Sequence, residues 1–351
     1  AAGLKVIVTA HHLPGSELPQ ADAIVNPNQP DCDFPSKNLA GVGVIFYLLS
    51  RLKSVLQAQG WFEEVGMPVP NMAEYLDLVA LGTVADLVPL DHNNRVLVHQ
   101  GIARIRAGRC RPGIQALMDV AGRDRARLST TDIGFILGPR INAAGRLDDI
   151  GTGIRCLMTQ DPEEARELAA ELDGLNRDRK SIEAGMQREA MAALEKLQLA
   201  EDELPWSLCL YDGAWHQGVV GILASRIKEK FHRPVIAFAD GDNNLIKGSA
   251  RSIPGLHIRD ALSDVAAAHP ELISKFGGHA MAAGLSLPAE NLPAFTRAFE
   301  QAVRARLTES QLQAVIETDG ELQPHEFSME TAAILRACAP WGQAFPEPEF
   351  D

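Results

Sequence analysis

The sequence predicts an α/β protein: two α/β lobes joined by a long helix, followed by the start of a small β domain. Three observations carry this. An apolar β-rich run opens the chain and ends in paired histidines, one continuous helical stripe separates the halves, and strand and helix signals alternate after it. The opening run is Lys5-Val-Ile-Val-Thr9, leading into Ala10-His11-His12-Leu13-Pro14. In open α/β sheets the carboxyl edge of a strand is where ligands and metals are held. Ala23-Ile-Val-Asn26 is a second strand, and residues 38–56 and 72–84 read as helices. Few strand candidates follow before residue 160, whereas a parallel sheet needs several strands with helical crossovers, so upstream sequence is expected to complete it. The chain is therefore expected to be an internal piece of a larger protein.

The connecting helix has Asp161 as N-cap, Pro162 at its first position, and Glu163 and Glu164 in a first turn that favours negative charge. Leu168, Leu172, Leu175, Ile182, Met186, Ala190, Leu194 and Leu197 form one apolar stripe, and the helix would span roughly 50 Å. Gly174 and Gly185 weaken its middle and allow a kink. As a spacer it would leave a cleft for an extended substrate. Beyond it, Ser207-Leu-Cys-Leu-Tyr211 is a strand, residues 218–231 a helix with Val220, Leu223, Ile227 and Phe231 inward, and Pro234-Val-Ile-Ala-Phe238 the next strand. Lys247-Gly-Ser-Ala-Arg251 and Ala283-Gly-Leu-Ser-Leu287 continue the sheet. Ala314-Val-Ile-Glu-Thr318 opens the final β segment.

With 351 residues, 46% of them hydrophobic, the chain can bury the cores of two domains and part of a third. No apolar run approaches the ~20 residues of a membrane span, and the first residues lack a signal peptide's basic flank and apolar core. The five cysteines are scattered without CxxC pairing, which indicates neither a zinc knuckle nor a disulfide framework and fits a reducing, cytoplasmic setting. A net charge of -13 argues against a nucleic-acid partner. Clusters at Arg104, Arg106, Arg109 and Arg111, at Arg123, Arg125 and Arg127, and at Arg177, Arg179 and Lys180 allow local positive surfaces within that acidic whole.

Metal-assisted phosphodiester hydrolysis needs hard oxygen and imidazole ligands around divalent ions, and His11, His12 and Asp86 supply part of such a set. Read singly, the histidine pair is incidental and Asp86 a helix-end carboxylate, with Asp91 a turn residue nearby. In the second lobe, His216 and Gly218 stand at a helix start, where backbone N–H groups and the helix dipole suit phosphate. Gly277 and Gly278 let a ligand approach the backbone, and His279 can donate a hydrogen bond. Capping and turn formation are the competing roles. Ser249 and Arg251 flank Ala250 and share one strand face, a pair suited to gripping a terminal phosphate or to solvent exposure. Arg140, Asn142 and Arg146 stand in a segment expected to be a Gly- and Pro-punctuated loop facing nucleic acid, with pairing of Arg146 to Asp148 or Asp149 as the alternative.

The His11-His12 pair, Leu81-Gly-Thr-Val-Ala-Asp86, Pro139-Arg-Ile-Asn-Ala-Ala-Gly-Arg146 and Gly277-Gly-His-Ala-Met-Ala-Ala-Gly284 together resemble the DHH phosphoesterase superfamily, specifically its RecJ-type single-strand DNA exonucleases. The resemblance covers nearly the whole chain. It implies the carboxyl-terminal part of a DHH metal-binding domain over 1–158, the connecting helix over 159–200, a DHHA1 substrate-binding domain over 201–306 and the start of an OB-type domain over 307–351. It further implies two divalent ions, Mn2+ or Mg2+, with His11 and Asp86 as ligands and His12 beside the phosphate. The DHHA1 His-Gly loops and the Ser249–Arg251 pair would recognise the 5′ end of single-stranded DNA during 5′ to 3′ removal of nucleotides. Work in recombination and repair, as a monomer with single-strand binding protein and a helicase as partners, is implied as well.

One departure is central. The family's Asp-His-His triplet reads Ala10-His11-His12 here, and its upstream acidic motifs lie before this chain's first residue, so the chain is expected not to cleave DNA. Loss of a supporting carboxylate commonly costs ~10 to 100-fold in metal affinity or activity. The rival readings are a non-cleaving single-strand DNA-binding fragment and a DHH oligoribonuclease or cyclic-dinucleotide phosphodiesterase. A manganese-family pyrophosphatase shares the metal motif but would show a Lys- and Arg-rich clamp in its second lobe.

Overall fold

The computed structural model describes residues 3–15, 17–196, 204–242 and 244–351. The chain divides into two compact units, residues 1–174 with 317–351, and residues 175–316. In the first, β1 (Ile7–Thr9) and β2 (Ala23–Val25) pair in parallel, Ile7 opposite Ala23 and Thr9 opposite Val25. The Ala10 amide prolongs the ladder by donating to the Val25 carbonyl at 3.1 Å, so the strand runs out at His11. Helices follow: α1 (Gly41–Ala58), α2 (Trp61–Glu64), α3 (Leu76–Ala85), α4 (His92–Arg106), α5 (Pro112–Val120), α6 (Thr130–Asp132), α7 (Gly138–Leu147), α8 (Gly151–Met158) and the first turns of α9 (Pro162–Lys196).

Helix α3 is central to this unit because it is apolar almost all round, with Val79, Ala80 and Leu81 buried. Two glycines let its neighbours close on it. A Cβ at Gly82 would lie 2.8 Å from Val42 of α1, and a Cβ at Gly101 of α4 would lie 2.2 Å from the Leu76 carbonyl oxygen. This packing fixes the end of α3, where Asp86 stands.

Residues 138–147, expected as a loop, form α7. It continues without a break from α6 through a π-helical turn, Ile133–Leu137, whose wider ladder accommodates Pro139, a residue with no N–H to donate, and Ala143 and Ala144 bury behind it. The arginine clusters also correct an expectation, since several serve the fold. Arg106 donates twice to the Leu128 carbonyl, Arg111 pairs with buried Asp77, and Arg125 donates to Gln115. Arg179 is buried in the second unit, bonded to Asn176 and Glu183.

Helix α9 begins as its caps predict, with Asp161 Oδ1 accepting the Glu163 amide at 2.9 Å, and it runs without a break through Gly174 and Gly185. Leu168 and Leu172 are buried in the first unit, while Met186 and Ile182 pack in the second. The side chains of Ala190 and Leu194, and Leu197 altogether, lie outside the described residues.

The second unit is a five-stranded sheet of β3 (Leu208–Tyr211), β4 (Val235–Asp240), β5 (Leu245–Arg251), β6 (Lys275–Gly278) and β7 (Ala282–Pro288), in the order β3-β4-β5-β7-β6. Within it β3 and β4 are parallel, bridged by α10 (Val220–Phe231), and the other pairs are antiparallel. Strand β4 is buried on both faces. Ile236 and Phe238 meet α11 (Ile258–Ala268) and α12 (Leu292–Arg304), while Val235, Ala237 and Ala239 meet Val220, Leu223 and Ile227 of α10. The last helix, α13 (Met329–Cys338), belongs to the first unit.

Within 307–351 the described residues hold no strand, so the strand expected at 314–318 is not formed. Val315 and Ile316 are 74% and 78% exposed with no strand beside them, and an extended segment cannot form a ladder alone.

Candidate functional site

In the first unit, the end of β1 and the end of α3 converge. His11 Nε2 stands 3.4 Å from Asp86 Oδ2, and the His11 and His12 rings meet edge to face with centroids 4.4 Å apart. Adjacent residues on a strand point in opposite directions, so both imidazoles can crowd one edge only where the strand has ended. Asparagines after β2 hold the main chain there. Asn26 Nδ2 donates to the His12 carbonyl at 2.8 Å, and Asn28 Nδ2 donates to the His11 carbonyl at 2.7 Å and the Lys37 carbonyl at 3.0 Å. The His11 ring also lies against the start of α1, its Cδ2 3.6 Å from where a Cβ on Gly41 would stand.

An imidazole nitrogen and a carboxylate oxygen facing each other, both reachable by solvent, suit a divalent cation as part of a ligand set. Among the described residues no group of three or more His, Cys, Asp or Glu side chains gathers around one point. Asp91, expected as a turn residue, is instead the N-cap of a helix. It caps α4 by accepting the Asn94 amide and accepts from Ser36 and Asn38.

Arg140, Asn142 and Arg146 all lie on α7, and they separate into two kinds. Arg140 is largely buried, pairing with Asp173 at 2.8 Å and donating to the Ile136 carbonyl, whereas Asn142 and Arg146 are exposed one turn apart on the same face.

In the second unit, β5 places Ser249 and Arg251 on the face that α10 covers, since each pairs with a residue of β4 packed against that helix. The helix passes very close. A Cβ at Gly221 would lie 2.9 Å from Arg251 Nη2 and 3.3 Å from Ser249 Oγ, so both polar groups reach one gap that only glycine leaves open. The cross-strand row through Ser249 continues to Gly284 of β7 and Gly277 of β6. Directly opposite residues share a face, and a Cβ at Gly277 would touch nothing within 4 Å, so the floor beside Ser249 is open. Gly278 turns the chain at φ +153°, where a Cβ would strike Ala283, and the His279 amide donates to the Ala282 carbonyl at 2.8 Å.

The entrance to α10 differs from its expectation. The Gly218 amide donates to His216 Nδ1 at 3.1 Å, and the Val219 and Val220 amides donate to the His216 carbonyl, so these N–H groups are engaged in capping rather than turned toward a ligand. Gly221, Ser225, Asn26 and Asn28 are contributors that sequence reasoning missed. The Asn-Pro-Asn run directly after β2 was the available signal for two of them.

Residues 1–83 match the DHH family, N-terminal domain, and residues 207–305 match the DHHA1 domain. The chain is 58% identical over 349 residues to the single-stranded-DNA-specific exonuclease RecJ of Escherichia coli K12, covering 99% of this chain and 60% of that protein. It superposes on the crystal structure of exonuclease RecJ bound to manganese with a TM-score of 0.67 and 35% identity, covering 89% of this chain and 72% of that one. The chain belongs to the RecJ family. A further RecJ structure, in complex with Mn2+ from Thermus thermophilus, matches with a TM-score of 0.80 and 34% identity over 99% of this chain and 48% of its own. The chain spans about three fifths of the length of the RecJ proteins of Dickeya dadantii and Escherichia coli that it matches. The RecJ relationship accounts for the α/β architecture of the two units.

Proposed function

We propose that this chain is the nucleic-acid-processing core of a single-stranded-DNA-specific 5′ to 3′ exonuclease acting in recombination and repair in the cytoplasm. The observation that carries this is the meeting of Ser249 Oγ and Arg251 Nη2 over Gly221, beside the open floor of Gly284 and Gly277. A guanidinium and a hydroxyl converging on one gap suit a terminal phosphate, which accepts several charge-assisted hydrogen bonds. The floor without side chains suits the sugar that follows. His279, at the turn after Gly278, is assigned a hydrogen bond to the same nucleotide, and His216 and Gly218 shape the adjacent helix entrance.

His11 and Asp86 are the residues assigned to hold divalent metal, two Mn2+ or Mg2+ ions in the complete site. Bound there, such ions supply Lewis-acid stabilisation of a phosphodiester and acidify water. His12 stands at the exposed edge beside them, where its ring can donate a hydrogen bond to a phosphate oxygen. Asn26 and Asn28 keep both histidines at that edge. Asn142 and Arg146, on the exposed face of α7, are assigned to the DNA backbone. Single-strand binding protein and a helicase are the proposed partners, and the protein acts as a monomer.

The chain as it stands is proposed to bind without cutting. Position 10 carries Ala where the family triplet has Asp, and a methyl group can neither ligate a cation nor orient a neighbouring imidazole. The test compares release of nucleotides from 5′-phosphorylated single-stranded and duplex DNA in Mn2+, using full-length protein with Ala or Asp at this position. The expected result is single-strand-selective release that rises ~10 to 100-fold with A10D. Equal release by both versions removes the account of Ala10. Equal attack on duplex removes the single-strand specificity.

A further inference from the structure

Arg251 is carried by β5, but a group that sets its direction is carried by α10. Ser225 lies one turn beyond Gly221. Its hydroxyl accepts a hydrogen bond from Arg251 Nε at 3.2 Å and donates to the Gly221 carbonyl at 3.2 Å. Donation back along the helix fixes the hydroxyl proton and turns the oxygen lone pairs toward Nε. Arg251 Nη1 donates to the Ala250 carbonyl at 2.8 Å. A guanidinium is planar, so engaging Nε and Nη1 fixes its plane and with it the direction of Nη2. That nitrogen is the one over Gly221 facing Ser249 Oγ.

The rotation of α10 that presents Ser225 is itself held. Leu223, Ala224 and Ile227 are buried against β4, and the neighbouring Arg226 donates to Glu183 of α9 at 3.2 Å.

We propose that Ser225 is a positioning residue of the terminal-phosphate site, acting on the 5′ end only by orienting the Arg251 guanidinium. This rests on the assignment of Arg251 to the 5′-phosphate. It predicts that Ser225 contributes to discrimination between 5′-phosphate and 5′-hydroxyl ends and not to general affinity for single strands.

The test is fluorescence anisotropy of a single-stranded oligonucleotide carrying either end, titrated with the chain in EDTA so that cleavage does not compete. S225A is expected to lower the preference for the phosphorylated end about tenfold, the scale of one hydrogen bond to a charged group, with affinity for the hydroxyl end unchanged. S225T, which keeps the hydroxyl, is expected to restore the preference. In an R251A background, S225A is expected to add nothing, a coupling that a merely structural serine would not produce. Where S225A lowers the melting temperature, S225C takes its place, since its thiol preserves shape but accepts hydrogen bonds weakly. A full preference in S225A or S225C, with R251A abolishing it, overturns the role of Ser225 and leaves the phosphate assignment standing. A full preference in R251A overturns both.

Discussion

Gly221→Ala separates stability from recognition at one atom. Gly221 is buried in the first turn of α10, and replacing a helical glycine by alanine gains about 1 kcal/mol of helix propensity. Against that, the new methyl would stand 2.9 Å from Arg251 Nη2 and 3.3 Å from Ser249 Oγ. Both contacts are with the far ends of side chains; Ser249 Oγ can rotate aside and Arg251 Nη2 can retreat by loosening its bonds to Ser225 and the Ala250 carbonyl, so the cost offsets the gain and the net change in stability is expected to stay within about 1 kcal/mol. Recognition has no such escape. Retreat of Nη2 and Oγ from the gap removes the two donors assigned to the terminal phosphate, and loss of one charge-assisted hydrogen bond of about 1.5 kcal/mol is already more than tenfold in affinity. The assay is thermal unfolding followed by circular dichroism, run beside anisotropy titrations of 5′-phosphate and 5′-hydroxyl oligonucleotides. A near-unchanged melting temperature with at least a tenfold fall in the phosphate preference is expected. A folded variant that keeps the preference would refute the assignment of this gap to phosphate.

Gly113→Ala is expected to be strongly destabilising, about 3 kcal/mol or more, because the added Cβ would lie 1.8 Å from the Cys156 carbonyl oxygen, a backbone atom that cannot rotate aside; a melting temperature within a degree or two of the parent in a thermal scan would contradict this. R146A is expected to weaken single-strand binding and flatten its salt dependence, and N142A to weaken binding with the salt slope unchanged, whereas R140A is expected to lower the melting temperature because a largely buried pair with Asp173 is broken; salt-titrated binding and melting curves check both halves. Burial pushes the Cys156 thiol up to about 11, so the folded chain keeps its proton where the unfolded chain, with an ordinary value of 9.0, has lost it. Unfolding free energy is therefore expected to fall as pH rises above 9, at about 1.4 kcal/mol per pH unit for this thiol, and C156A is expected to remove that contribution, as read from denaturant melts between pH 8 and 10.5.

Much of the fold was legible because the elements that matter have strong local signals. Asp161 and Pro162 announce the start of α9 by satisfying a helix end, and Val235 to Asp240 is apolar enough that only a strand buried on both faces accommodates it. The failures share one cause, which is that packing overrode local punctuation. Gly138 and Pro139 read as a loop opening, yet both follow the π-helical turn Ile133–Leu137 inside a continuous helical run, whose Ala143 and Ala144 have a surface to bury against. Lys275-Phe-Gly-Gly278 carries little strand propensity and forms β6 only because β7 offers it a ladder. Val315 and Ile316 show the converse, strand formers that form no strand where no neighbour is present to pair with.

At the candidate site the same distinction separates faces from orientations. Ser249 and Arg251 share a face through the two-residue period of a strand, which any alternating pattern reveals. Where the Arg251 guanidinium points is set twenty-six residues away by Ser225, and no periodicity connects the two. On α10 the apolar residues Val220, Leu223 and Ile227 mark the side that meets β4, and a serine near the border of that stripe looks like ordinary surface until a neighbouring strand brings an arginine across it. Arg179 makes the point in reverse. It stands in a basic run that looks like a nucleic-acid surface, but its helix turns it inward, so its charge is spent within α9 on Asn176 and on Glu183, the carboxylate that Arg226 of α10 also reaches. Recognition of a phosphate then depends less on how many arginines the chain contains than on which of them the packing leaves aimed at a gap without side chains, and in the second unit that condition is met over Gly221.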